Sequence, residues 1–277
     1  MTRLDWNVLD LDYEQEATRI CARLREILAR TLHRRGMVVA ISGGIDSSTC
    51  LGLAVRALGA DKVYALILPE RDSSDDSAAR ARILADHLGV RTQTHDIEPA
   101  LAAIGCYEQR DAALRRALPG YGPGWRFKIV IAGGRDGGIN YFRLVAKSPD
   151  GTDHDVPLPL AEYLAIVAAT NFKQRIRKNL EYFHADRLNY AVTGTPNRLE
   201  YDQGFFVKNG DGAADVKPIA HLYKTQVYQL AEALGVPATI RERPPTTDTY
   251  ALEQSQEEFY FSVPYATMDL CLYARNN

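Results

Sequence analysis

The run Met37-Val-Val-Ala-Ile41 breaks directly into Ser42-Gly43-Gly44-Ile45-Asp46-Ser47-Ser48. Five consecutive apolar residues are too few for a helix and show no polar alternation, so they predict a strand buried on both faces. Such a strand needs a helical layer on each side of its sheet. The following residues supply one: Leu51, Ala54, Val55 and Leu58 recur with helical period, and Gly59 closes the helix. Val63-Tyr-Ala-Leu-Ile-Leu68 is a second strand, stopped by Pro69. Ser73 to Leu88 is a helix with acidic residues in its first turn and Gly89 at its end, and Val90 to His95 is a third strand. Ahead of all this, Ala17, Ile20, Cys21, Leu24, Ile27, Leu28 and Leu32 mark an amphipathic helix. Later, Asn171 to Phe183 reads as a helix, Leu188 to Thr193 as a strand, and Tyr223 to Leu234 as a helix ended by Gly235 and Pro237. Strands alternating with helices imply right-handed β-α-β units. The expected fold is α/β, an open parallel sheet with helices on both faces.

The middle of the chain departs from this rhythm. Gly120 to Gly124 is rich in glycine and proline, and the β-prone runs Arg126–Ile131 and Tyr141–Ala146 flank Gly133-Gly-Arg-Asp-Gly-Gly138. A β-hairpin inserted at about residues 120–160 is predicted, within a single domain over residues 1–277. The 33 basic and 35 acidic residues leave a net charge of −2, so no global field draws nucleic acid or a membrane. Cys21, Cys50, Cys106 and Cys271 are widely spaced, which argues against a disulfide framework or a zinc site. The N-terminal residues carry no apolar run, and the apolar stretch Leu160–Ala169 is short and broken by Glu162. A reducing cytoplasm is the expected location.

Chemistry concentrates in the loop after the first strand. Gly43 and Gly44 let the backbone close around a ligand. The loop amides and the helix N-terminus point at one spot and make an anion site, to which Ser42, Ser47 and Ser48 add hydroxyls. Asp46 fits an anion cradle when a cation such as Mg²⁺ bridges carboxylate and phosphate. A tight turn capped by Ser and Asp is the plainer alternative, but three hydroxyls, two glycines and a carboxylate in seven residues favour phosphate. The spacing is that of neither a Walker loop nor G-x-G-x-x-G.

Four later segments add to it. Asn171-Phe-Lys-Gln-Arg-Ile-Arg177 carries three cations on one helix. Gly194-Thr195-Pro-Asn-Arg-Leu-Glu200 follows a buried strand, so Thr195 and Glu200 fall at the carboxyl edge of the sheet, where open α/β folds bind ligands. Gly210-Asp211-Gly212-Ala-Ala-Asp215 places two carboxylates on a glycine-rich loop. Lys224 stands near a helix start, against the macrodipole, and calls for an anionic partner.

The loop is similar to the pyrophosphate loop of the N-type ATP pyrophosphatases, and all five segments in this order resemble the ammonia-dependent NAD synthetases, over about Leu24–Asp96 and Thr170–Asp248. The resemblance implies an adenine nucleotide alpha-hydrolase-like fold and ATP and Mg²⁺ as cofactors. It implies that Ser42, Gly43, Gly44, Ser47 and Ser48 hold the β,γ-phosphates, that Asp46 and Glu200 ligate Mg²⁺, and that Thr195, Lys224 and Thr246 meet the ATP phosphates. Asp46, Lys224 and Thr195 would then be catalytic, and Arg71 would lie near the ATP adenosine. Arg175, Asp211 and Asp215 would lie on the acceptor side. The implied acceptor is nicotinic acid adenine dinucleotide (deamido-NAD), adenylated by ATP and then aminated by ammonia, in a homodimer with small-molecule partners alone. No glutaminase domain is expected in the chain. The insert and the tail Gln256–Tyr273 depart from the family pattern and bear on the acceptor, which leaves a second reading, a ligase that amidates another carboxylate.

Overall fold

The computed structural model describes residues 5–133, 141–243, 250, 252 and 264–277. After a 3₁₀ turn at Trp6–Leu9, the chain forms α1 (Tyr13–Glu26), which runs into a π-helical turn Ile27–Leu32. Next come β1 (Met37–Ala40), α2 (Ile45–Leu58), β2 (Val63–Ile67), α3 (Asp75–His87), β3 (Arg91–Thr94), α4 (Glu98–Ala103) and α5 (Cys106–Ala117). Three strands follow, β4 (Arg126–Ala132), β5 (Tyr141–Lys147) and β6 (Asp153–Pro157). The chain then returns to α6 (Leu160–Leu188), β7 (Ala191–Val192), α7 (Arg198–Gln203), α8 (Lys224–Ala233), α9 (Ala238–Arg241) and α10 (Tyr265–Asn276).

The main sheet has four strands in the order β3-β2-β1-β7, and all its pairings are parallel. Period-two alternation sorts its side chains into two cores. Met37, Val39, Ile41, Val63, Ala65 and Ile67 pack against α1, α2 and α8 through Leu24, Leu51, Leu53, Val227 and Leu230. Val38, Tyr64, Leu66 and Leu68 face the other way, onto Ile97, Leu101, Cys106 and Ala185. Each large apolar side chain so buried stabilises the fold by about 1.5–3 kcal/mol. The strands run outward from β1 to β2 and β3 on one side, whereas β7 lies on the other. The order therefore reverses beside β1, and a crevice opens at the carboxyl ends of β1 and β7, where ligands settle in such sheets.

The insert is larger than a hairpin. β4 and β5 pair antiparallel, with Arg126 opposite Lys147 and Ala132 opposite Tyr141, and β6 adds a third strand on β5. The sequence hid β6 because Asp153-His-Asp-Val-Pro157 has no apolar alternation. It is an edge strand, held by main-chain pairing and by Arg143 Nε donating to Asp155 Oδ1 at 2.7 Å. The buried face of this sheet, Phe127, Ile129, Leu144 and Ala146, packs on Ala113 and Leu114 of α5 and Ile166 of α6. The turn around Gly134–Gly138 lies outside the described residues.

Two further differences are physical. α6 spans 29 residues rather than the expected Asn171–Phe183, because its first turns are the surface on which the insert rests. The strand expected at Leu188–Thr193 shrinks to two residues. Asn189 adopts the left-handed conformation (φ 56°) and its amide caps α6 by donating to Ala185 and Asp186, so extended chain starts only after it. Among the described residues no helix is long and apolar enough to cross a membrane, and Cys21, Cys50, Cys106 and Cys271 form no disulfide.

Candidate active site

The loop between β1 and α2 is shaped by one backbone angle. Gly43 has φ +76°, and a Cβ there would lie 2.5 Å from the Ser77 carbonyl oxygen, so no other residue fits without moving α3. Gly44 is the N-cap of α2 and brings no side chain to its amides. The loop hydroxyls turn inward instead. Ser47 Oγ and Ser48 Oγ both donate to the Gly44 carbonyl, at 3.1 and 2.7 Å, and Ser42 Oγ accepts from the Gly44 amide at 3.3 Å. The first turn of α2 thus keeps its orphan N–H groups and the positive end of its dipole directed outward.

Charged side chains from three elements meet at that turn. Asp46, in the first turn of α2, pairs with the ammonium of Lys224 at the start of α8. Its other oxygen accepts from Asn197 Nδ2 at 3.0 Å. Asn197 in turn caps α7: its side chain accepts the Glu200 amide, while Glu200 Oε2 accepts the Asn197 amide at 3.1 Å. Capping α7 therefore also fixes Glu200 beside Asp46. Burial first, and the charge of Asp46 second, push the Glu200 carboxyl up to about 7. Lys224 has no exposed surface. Burial pulls its pKa down, but Asp46 and Glu200 outweigh that and hold it above the ordinary lysine value. The start of α8 is fixed from α10, where Asp269 accepts from the amides of Lys224 and Thr225 at 3.2 and 2.8 Å. This is the described part of the tail, and it supports Lys224 from behind.

A cavity of about 500 Å³ opens over this group. Ser42, Gly43, Gly44, Asp46, Ser47, Thr195, Glu200 and Asp211 line it, together with the carboxyl end of β2 and one long face of α6. Ser48 is fully buried beneath the loop, and Lys224 touches the site through Asp46. Thr246 lies outside the described residues. Besides Ser48 and Lys224, three further expected residues are not among those lining the cavity. Arg71 donates to Glu98 Oε1 and lies over the Tyr107 ring. Arg175 is turned to the Lys208 carbonyl. Asp215 accepts the Val192 amide at 2.7 Å and closes the end of β7.

Of the other charged groups in the cavity, Asp211 and the cations Lys173 and Arg177 belong to segments marked in the sequence, whereas Lys178 and Glu181 were not singled out. Lys178 and Glu181 form a buried pair at 2.7 Å on α6, and burial raises the Glu181 carboxyl even so. Asp211 is raised by burial as well. Arg177 Nε donates to the Leu68 carbonyl at the end of β2. Lys173 is almost fully buried between Glu70 at 3.0 Å and Asp72 at 2.6 Å. The signal available was the polar series Thr170, Gln174, Arg177, Glu181, whose spacing of three and four puts it on one face of a helix.

Known proteins resemble this chain in both sequence and fold. The profile of the NAD synthase family matches residues 16–117 and 159–277. The chain is 60% identical over 272 residues to the NH(3)-dependent NAD(+) synthetase of Rhizobium meliloti, covering 98% of this chain and 81% of that protein. It is 41% identical over 238 residues to the NH(3)-dependent NAD(+) synthetase of Thermotoga neapolitana, covering 86% and 77%. Among solved structures, NMN synthetase from Francisella tularensis shares the fold with a TM-score of 0.70 at 24% identity, over 96% of this chain and 87% of that one. NAD+ synthetase from Burkholderia pseudomallei matches with a TM-score of 0.59 at 27% identity, over 97% and 88%.

Proposed function

The chain belongs to the NAD synthase family, and we propose that it is an ATP-dependent ligase that adenylates deamido-NAD and aminates it with ammonia, giving NAD, AMP and pyrophosphate. One observation carries this reading. The uncapped N-terminus of α2 meets the Asp46–Lys224 pair and the buried Glu200 at the floor of a single cavity.

The loop amides, with Ser42 and Ser47, hold the β- and γ-phosphates of ATP at the positive end of α2. Thr195 meets the remaining phosphate oxygens, and Lys224, buried behind Asp46, offsets their charge through that carboxylate. The acceptor carboxylate attacks the α-phosphorus, the bond to the β-phosphate breaks, and pyrophosphate leaves. Ammonia then attacks the acyl-adenylate carbon, AMP departs, and the surplus proton passes to solvent. A carboxylate has no good leaving group, and adenylation supplies one. The residues here do no covalent chemistry: they position and neutralise. Asp211, Arg177 and the Lys178–Glu181 pair line the acceptor side, and Arg175, one helical turn from Lys178, is a further candidate for the acceptor's phosphates.

The donor set fits Mg²⁺. Two carboxylates converge, and the charge of one raises the other, which is an arrangement short of positive charge. Mg²⁺ is commonly held by one or two carboxylates plus substrate phosphates and water. Asp46 and Glu200 would hold it, and when bound it would neutralise charge building on the departing pyrophosphate. A second copy of the chain in a homodimer and a cytoplasmic setting complete the proposal, both supported by the family resemblance alone.

The test is a panel of carboxylates incubated with ATP, Mg²⁺ and ammonium, with AMP and pyrophosphate followed. AMP should form with deamido-NAD, in step with ammonium and rising with pH as the NH₃ fraction grows. Glutamine in place of ammonium should give none. AMP formed only with some other carboxylate refutes the assignment.

A further inference from the structure

The insert between α5 and α6 lies between the two segments matched by the family profile, yet the Rhizobium meliloti relative matches over 98% of the chain and so spans it. No described residue of its sheet lines the cavity, but two residues that do line it pack against the sheet. Tyr163, in the first turns of α6, lines the cavity. One face of its ring lies flat on Phe142 of β5, with centroids 3.6 Å apart and planes 8° from parallel. Phe142 therefore fixes the plane of a half-buried aromatic ring that borders the ligand space. Nearby, Tyr250 also lines the cavity, and it packs on Phe127 of β4 with centroids 5.1 Å apart. Tyr163 and Tyr250 are thus each backed by an aromatic residue of the insert.

We infer that the insert builds a stacking wall, in which Tyr163, held by Phe142, receives the heteroaromatic base of a bound nucleotide. The inference rests on the reading that this cavity takes ATP and a dinucleotide acceptor. A flat, immobilised ring with apolar Val167 one turn away offers a π-face without a demand for particular hydrogen bonds. Position matters as well. Tyr163 and Arg177 share the cavity face of α6, 14 residues or roughly 21 Å apart. Arg177 is bonded to the end of β2, near the reacting groups. The wall is far from them, so it meets the base at the remote end of a ligand and affects binding rather than bond-making. Either the adenine of ATP or a base of the acceptor has the required chemistry.

Tyr163→Leu and Phe142→Ala test this, each compared with Tyr163→Phe and Phe142→Leu. Binding of ATP and of deamido-NAD is measured separately by calorimetry, and KM and kcat are measured for each with the other saturating. Loss of the stack should weaken one ligand by about tenfold, with kcat changed far less, and Tyr163→Phe should recover most of the affinity. The ligand that weakens identifies the base. If neither affinity moves, or if kcat falls while both KM values stay put, the wall is refuted. Should Phe142→Ala fail to fold, Phe142→Leu, which keeps apolar bulk but loses the flat ring, should show the same loss of affinity. A wild-type enzyme that does not amidate deamido-NAD would defeat the functional reading, whereas ATP binding to the Tyr163 variants would still decide the wall.

Discussion

Asp46 and Lys224 bind each other before any ligand arrives, and that makes the obvious active-site mutation a stability mutation too. Asp46→Ala leaves the ammonium of Lys224 buried and without its closest counter-charge. Breaking a buried pair in this way costs about 3–5 kcal/mol. Asp46→Ala should therefore lose AMP formation and melt well below the wild type. The double variant Asp46→Asn, Lys224→Met removes both charges, and it should regain most of the melting temperature while staying inactive. Thermal melts paired with a pyrophosphate assay read both quantities; a stable, active Asp46→Ala protein would show that the pair is neither structural nor catalytic. The need for this partner was legible in the sequence, since a lysine at a helix start opposes the dipole. What Asp215 and Arg71 do was not. Asp215 serves the last amide of a two-residue strand, and Arg71 a glutamate 27 positions away. Residue type and spacing carry no trace of either contact.

At the level of elements, the alternation of apolar runs and glycine stops marks β1, β2, β3 and the helices between them. It failed where a helix buries charge. α5 turns Cys106, Tyr107, Arg110, Ala113 and Leu114 inward, a proper helical face whose central member is an arginine. Paired with Asp72 at 2.6 Å, Arg110 occupies a place where the pattern calls for an apolar residue, so the segment went unread. The junction of β3 with α6 hides a second polar contact. His95 Nε2 lies 2.8 Å from His184 Nε2, and His184 Nδ1 accepts from Arg187 Nε at 2.9 Å. Only a neutral His184 can accept on one nitrogen and donate on the other. Burial first, then the charges of Arg187 and His95, depress its pKa below the ordinary histidine value. In the unfolded chain it takes a proton near pH 6.5, while the folded protein resists. Below about pH 6.5 the unfolded state thus binds more protons, and stability falls with falling pH. Melting temperature should drop between pH 7.5 and 5, and His184→Gln should flatten that slope; an unchanged slope in the variant would place the acid sensitivity elsewhere.

Across the whole molecule, the sheet, the helical layer and the insert are joined by one buried ionic network. Lys173 of α6 bridges Glu70 and Asp72 on the loop after β2. Arg110 of α5 holds the same Asp72 and lies over the ring of Phe127 in β4, 5.5 Å from its centroid. Tyr107 donates to Glu70 Oε2 at 2.9 Å. Residues on either side of this loop, Pro69 and Ser73, line the cavity, so the network fixes part of the ligand wall to the body that carries the insert. Burial alone would raise the Asp72 carboxyl, yet Lys173 and Arg110 outweigh it and bring it below the usual aspartate range. The cations are thus the side on which the network depends. Lys173→Met leaves two carboxylates buried near each other with one cation removed, a loss of about 3–5 kcal/mol, or roughly 5–10 °C in melting temperature for a chain of this size. Adding Asp72→Asn relieves the surplus negative charge and should restore part of that loss. It should not restore the affinity for ATP, because the loop would still lack its tie to α6. Melting curves and ATP titrations of the single and double variants separate the two effects. If stability and affinity recover together, the network serves the fold alone, and the cavity wall stands without it.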